Sequence, residues 1–274
     1  MPAPQASAMQ QLAKLKFKSF QIHLPSGFTN PEHHLQYDPP RPADVATSAG
    51  WLFIPDDASI KEHVSTVKDI SQQFSAYIDG ICSAICSAWS TWQSAASMVA
   101  VLINAVTAGM GTVVGPPMTP LILAQGPKGK PQEMKYTQAI ATAIGTGWLS
   151  YTASIKLAAM PLYPAFATFP SPMAPPTPNV PSPLIALTQV TTSISASSLK
   201  DSMVGLLGDQ GAAHHKELFG AVADAFEKCF TIWQSSTQVT NVLGTGAIPT
   251  FAPPVMPAGP VVAGIGTMTP GGFV

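Results

Sequence analysis

Charge is what this chain has least of. Asp, Glu, Lys and Arg together make up 10% of its 274 residues, against about 25% in an ordinary soluble domain. The formal net charge is −1 and the isoelectric point is near 6.6. No basic field exists to hold a polyanion, so a nucleic-acid partner is not expected. The high net charge and low hydropathy that keep a chain disordered are also missing, since apolar residues make up 46%. The 21 glycines do not recur at every third position, which excludes a collagen helix.

Cysteine is scarce too. Cys82, Cys86 and Cys229 are an odd number in a long chain, which is not the pattern of a disulfide scaffold. They are expected to be buried, reduced thiols, and Cys82 with Cys86 alone supplies too few ligands for a metal. The GxSxG, Walker A and HExxH patterns are absent. The Gly- and Lys-rich stretch 126–131 lacks the GK[ST] ending that cradles phosphate and reads as an exposed linker. His33-His34 and His214-His215 are adjacent pairs; neighbours on a helix point about 100° apart, so neither is a chelate by itself. Asp56, Asp57 and Glu227 have no evident carboxylate partner. The chain is therefore expected to be non-enzymatic, with no cofactor, metal or small-molecule substrate. The first 20 residues contain no apolar run behind a basic end, so no secretory signal is read and synthesis in the cytoplasm is expected.

The few charges that exist are unevenly placed. Residues 1–79 hold 14, residues 128–156 hold five and residues 200–228 hold eight, while 80–127, 157–199 and 229–274 hold none. This alternation accompanies an internal repeat. Residues 77–93, 136–152 and 218–234 align without gaps. Large apolar residues coincide at Tyr77/Tyr136/Leu218, Ile81/Ile140/Val222, Ile85/Ile144/Phe226 and Trp89/Trp148/Phe230, followed by Trp92/Tyr151/Trp233. Steps of four, four, four and three put these fifteen side chains on one helical stripe. The small residues between them would let neighbouring helices approach closely.

Proline is abundant, with 28 residues, about twice the usual share. Each repeat reaches a Pro-Pro pair: Pro116-Pro117, Pro175-Pro176 and Pro253-Pro254. Proline fixes φ and has no N–H, so these uncharged stretches read as extended arms suited to lie on neighbouring subunits. The third copy is four residues shorter between its helix and its arm.

The expected fold is mainly α. Three quasi-repeated long amphipathic helices, over about 60–108, 133–159 and 213–243, are each followed by an extended Pro-rich apolar arm. A shorter helix is expected over 198–207. A strand over 15–24 and a loop carrying Pro39-Pro40 form a short N-terminal arm. The units are 1–56 (N-terminal extended arm), 57–127, 128–199 and 200–274, with the last three forming one helical domain.

A surface so poor in charge needs a cover. The favoured expectation is a structural subunit of a large multi-copy particle (phage-tail, contractile-injection or shell-like), cytoplasmic or released. Its partners would be copies of itself or other particle subunits. The alternative is a membrane-active protein using 95–114, an uncharged stretch of 20 residues, the length of a bilayer span. Ser97, Asn104, Thr107, Gly109 and Gly111 interrupt that stretch, and no basic cluster or aromatic belt flanks it.

Overall fold

A computed structural model describes residues 2–24, 50–55, 60–188, 192–254 and 257–274. Among these residues are seven α-helices: α1 Ala6–Lys18, α2 Ile60–Ala95, α3 Met118–Gln125, α4 Pro131–Ser154, α5 Leu184–Leu187, α6 Ala196–Leu207 and α7 His215–Ser236. Six strands form one sheet: β3 Ser97–Asn104, β4 Thr107–Val114, β5 Leu157–Pro161, β6 Met173–Pro178, β9 Val242–Ala247 and β10 Val262–Met268. Two short pairs, β1 His23–Leu24 with β2 Ile54–Pro55 and β7 Ser182–Pro183 with β8 Gln238–Val239, complete the list. The fold is mixed α/β, which corrects the mainly α expectation.

The correction begins where the helices end. The helix expected over 60–108 stops at Ala95, and Ser97–Asn104 and Thr107–Val114 pair as an antiparallel hairpin. The segment 95–114 is therefore not a helical span. Residues 98–103 are rich in Val, Leu and Ile, which favour a pleated surface. Their alternation was hidden because Ala100 adopts a left-handed φ of 58°, which inserts a residue and shifts the phase between buried Met98 and buried Val101. The second helix likewise stops at Ser154 and the third at Ser236, each followed by strand.

The N-terminal arm is corrected as well. Residues 6–18 form a helix, and Met9, Ala13 and Phe17, at spacing four, are its buried side chains. The Lys/Phe alternation over 15–18 that suggested a strand is the charged edge and apolar edge of its last turn. Its flank beside α2 is tied down by Lys14 Nζ to the Asp79 carboxylate at 2.6 Å and by Gln10 Nε2 to Ser83 Oγ at 2.9 Å. Pro39-Pro40, His33-His34, Asp56 and Asp57 lie outside the described residues.

Helix starts follow local chemistry. Pro131 opens α4, and the Glu133 carboxylate accepts the Lys130 N–H at 3.2 Å. Ser195 Oγ accepts the Ser198 N–H at the start of α6, which ends on Gly208 with φ 67°.

The elements repeat as outer helix, inner helix and two strands. Unit one is α1, α2, β3 and β4; unit two is α3, α4, β5 and β6; unit three is α6, α7, β9 and β10. Each outer helix lies between two inner ones: α1 against α2 and α7, α3 against α2 and α4, α6 against α4 and α7. The sheet order β5-β4-β3-β10-β9-β6 runs in the same cycle. The second strand of each unit pairs with the first strand of the next: β4 with β5, β6 with β9, β10 with β3. The six strands thus form a ring, open along one seam between β5 and β6. One backbone bond, from Val180 N to Leu162 O at 2.9 Å, bridges the end of that seam.

Proline sits where a ring permits it. Pro175, Pro176 and Pro178 are on β6, at the seam, where a missing N–H breaks no ladder. Inside the ring, Gly244 leaves room for two neighbours: a Cβ there would meet Ile103 Cδ1 at 2.5 Å and Tyr163 at 2.8 Å.

Two substitutions test this core. Trp148→Ala, at a position 2% exposed, is expected to lower unfolding stability by about 3–5 kcal/mol. Leu149→Ala, one residue along and 70% exposed, should change it by less than about 0.5 kcal/mol. Urea unfolding followed by tryptophan emission checks both.

Candidate functional site

All fifteen stripe residues are buried: Tyr77, Ile81, Ile85, Trp89 and Trp92 on α2; Tyr136, Ile140, Ile144, Trp148 and Tyr151 on α4; Leu218, Val222, Phe226, Phe230 and Trp233 on α7. They meet around a common axis. The ring centroids of Trp89, Trp148 and Phe230, one from each unit, are 4.9, 6.1 and 6.2 Å apart. The next aromatic of each helix contacts the following unit. Trp92 lies 4.8 Å from Trp148, Tyr151 lies 4.7 Å from Phe230 and Trp233 lies 5.3 Å from Trp89. All three contacts are edge-to-face, the geometry that aromatic quadrupoles favour. These contacts run in the same direction round the axis as the strand pairing. The chain therefore has internal pseudo-threefold symmetry.

The strands keep the same register. The fifth residue after each inner helix has a left-handed backbone: Ala100 at φ 58°, Ala159 at φ 50° and Asn241 at φ 57°. Two residues before it, Met98, Leu157 and Val239 are buried. Two residues after it, Leu102, Pro161 and Leu243 are exposed. The four-residue shortening read in the third copy disappears, because helix end to left-handed residue is the same distance in all three units.

The Pro-Pro pairs do not share one place. Pro116-Pro117 follow β4 and lead into α3, beside Trp92 and Trp148. Pro175-Pro176 lie within β6. Pro253-Pro254 lie in the connection between β9 and β10. What read as three equivalent extended arms is two hairpins, one split strand pair and their connections. The aliphatics after the first pair are helix α3, those after the second form β7 and α5, and those after the third lead into β10.

The face that remains is the outer wall of the strand ring. None of its six strands contains an ionisable side chain. It exposes Met110 at 63%, Ile265 at 60%, Met173 at 60% and Leu102 at 41%. Leu102 and Ile265 are direct cross-strand partners, flanked by Gly109 and Thr245 in the same row. Among the described residues, the charged ones lie instead on the helices and their connections. Leu102 was missed from sequence because the left-handed Ala100 breaks the period of two within β3.

A groove of about 440 Å³ at the N-terminal ends of the inner helices is lined by Phe74, Tyr77, Lys130, Glu133, Tyr136 and Leu218. In it, Lys130 Nζ reaches Gln73 Oε1 at 2.7 Å, and the Tyr77 and Thr137 hydroxyls are 3.2 Å apart. His215 Nδ1 is 2.5 Å from Ala212 O, and the His214 ring packs 5.3 Å from Phe53. No three His, Cys, Asp or Glu side chains converge on a metal position among the described residues. No helix among the described residues is long and apolar enough to cross a membrane. Gln93 ties the C-terminus to the core, accepting from Trp233 Nε1 at 3.0 Å and donating to Phe273 O at 2.9 Å.

All three cysteines are free and buried. Burial pushes the Cys86 thiol up to about 12, and raises Cys82 and Cys229 too. A thiol so raised is neither nucleophile nor ligand at neutral pH.

No protein-family model, curated protein or solved structure matches the chain.

Burial also raises the Tyr77, Tyr151 and Tyr163 phenols. Ordinary thiols and phenols ionise near 9.0 and 10.0, so above those values only the unfolded chain gains charge. The stability these groups contribute is complete below about pH 9 and is lost as pH rises further. The urea midpoint should hold from pH 7 to pH 8.5 and fall by pH 10.5. In native protein at pH 8 a disulfide reagent should titrate no thiol, and three after unfolding.

Proposed function

We propose that this chain is a non-enzymatic structural subunit of a multi-copy protein particle of the phage-tail, contractile-injection or shell kind. The helical half forms its rigid core, and the chargeless wall of the strand ring is the surface that meets neighbouring subunits. The observation that carries this reading is the wall itself: six strands without one ionisable residue, with Leu102, Met110, Met173, Leu243 and Ile265 facing outward. Exposed apolar area beyond a few hundred Å² on a soluble protein marks a partner surface. Exposed strand edges are ordinarily guarded by charge, and here β6 carries proline instead.

Two features favour a structural role over chemistry. The buried thiols and the neutral aromatic core hold no group poised for proton or group transfer. The triplicated unit spends its large side chains on mutual contact, leaving surface rather than cavity as the outward product.

In extracts of the producing cell, the full chain is expected to sediment far above its 28.6 kDa monomer mass. Ile265→Lys, at an exposed position, should leave the thermal midpoint within a few degrees and shift the chain to the slow, dispersed fraction. A wild-type chain that stays a dispersed monomer in those extracts overturns the proposal.

A further inference from the structure

The wall of the strand ring is not a patch on one side of the molecule. It recurs three times about the axis defined by the aromatic core. Leu102 in unit one, Pro161 in unit two and Leu243 in unit three stand at the same offset, seven residues beyond the end of their inner helices. All three are exposed and apolar. The alternation around them is shared as well. One residue earlier, Val101 and Val242 are buried and Met160 is half-buried; one residue later, Ile103, Leu162 and Gly244 are all buried. A single chain thus displays three similar chargeless edges, rotated about one axis, of which the one in unit two carries Pro161 in place of leucine and borders the seam.

We propose that this wall docks one partner, a homotrimer whose own threefold axis coincides with the pseudo-threefold axis of this chain. The inference rests on the reading of the wall as an assembly surface and adds the symmetry and stoichiometry of what it meets. Three identical partner chains would each find an equivalent edge, whereas a monomeric partner would leave two of the three edges bare. Charge complementarity sets the chemistry. The wall has no ionisable side chain to pair, and any charge buried against it would lose its hydration without compensation. The facing surface of the trimer is therefore uncharged and apolar, with backbone or hydroxyl groups to meet Thr112, Thr245 and Thr267 on the wall. The equivalence is between strand walls only. The strand connections differ, since β3 and β4 are joined by a short turn while β5–β6 and β9–β10 are joined by long Pro-rich segments. The partner's contacts lie on the wall rather than on those connections.

The test is native mass spectrometry of the tagged full chain purified from its producing cells, with Leu102→Lys and Leu243→Lys as variants. Both positions are on the surface, and unchanged thermal unfolding of each variant shows that it still folds. One copy of this chain with three identical copies of another protein, or a multiple of three, is the expected complex. Each substitution should weaken it by about tenfold or more, and by similar factors, because the two leucines occupy equivalent edges. A complex whose partner count is not a multiple of three overturns the threefold inference while leaving the assembly reading intact. A complex holding only copies of this chain does the same, as does loss on Leu102→Lys with no effect of Leu243→Lys. A dispersed monomer overturns both.

Discussion

Everything in this molecule is arranged around the contact of three inner helices at one axis. Trp89, Trp148 and Phe230 meet there, and each helix sends a further aromatic onto its neighbour. Rings this large bury more apolar area than any other side chains and prefer edge-to-face approach. A cyclic set of three such approaches fixes how far apart the helices stand and how each is rotated about its own axis. The small residues between them, such as Ala84, Ala143 and Ala225, let the backbones close to that spacing.

The rest of the architecture inherits this geometry. Each outer helix fills the groove between two inner helices, so unit one needs α1 from the chain's start to cover the α2–α7 groove. Each inner helix releases its strand at an equivalent point, and a left-handed residue five positions on turns that strand into the ring. The pairing of β4 with β5, β6 with β9 and β10 with β3 then stitches each unit to the next. No unit has a full set of neighbours alone, so the three are expected to fold together. The ring's single opening falls at β6, the strand carrying three prolines, which is where unpaired N–H positions are easiest to do without.

The resulting molecule is polarised. Its helices carry ion pairs such as Lys14–Asp79 and Lys228–Asp224, while the six strands of the ring have no side-chain charge to hold water or repel a like surface. The same residues explain why the wall is a weak candidate for chemistry and a strong one for protein contact. It offers Leu102, Leu243, Ile265 and threonine hydroxyls, which pack and hydrogen-bond but do not transfer protons near neutral pH.

Sequence alone determined the helical stripes at 77–92, 136–151 and 218–233, but not where their helices end, since each was expected to run on into residues that are strand. A period near 3.6 is a local property, and the stripe from Tyr77 to Trp92 expresses it within five turns. It also determined that the charge deficit follows the repeat. It did not determine the strands, the outer helices or the equivalence of units. Met118–Gln125 is too short and uniformly apolar to show a face, and the Lys/Phe alternation at the end of α1 imitates a strand. The strands' period of two is broken by residues such as Ala100, whose left-handed backbone is imposed by the ring rather than by alanine's own preference. Strand partners more than a hundred residues apart, such as Ile103 and Gly264, leave no local trace in the chain. Only the tertiary structure could decide that the uncharged stretches curl into one ring, because that decision rests on hydrogen bonds between units and on the axis their helices share.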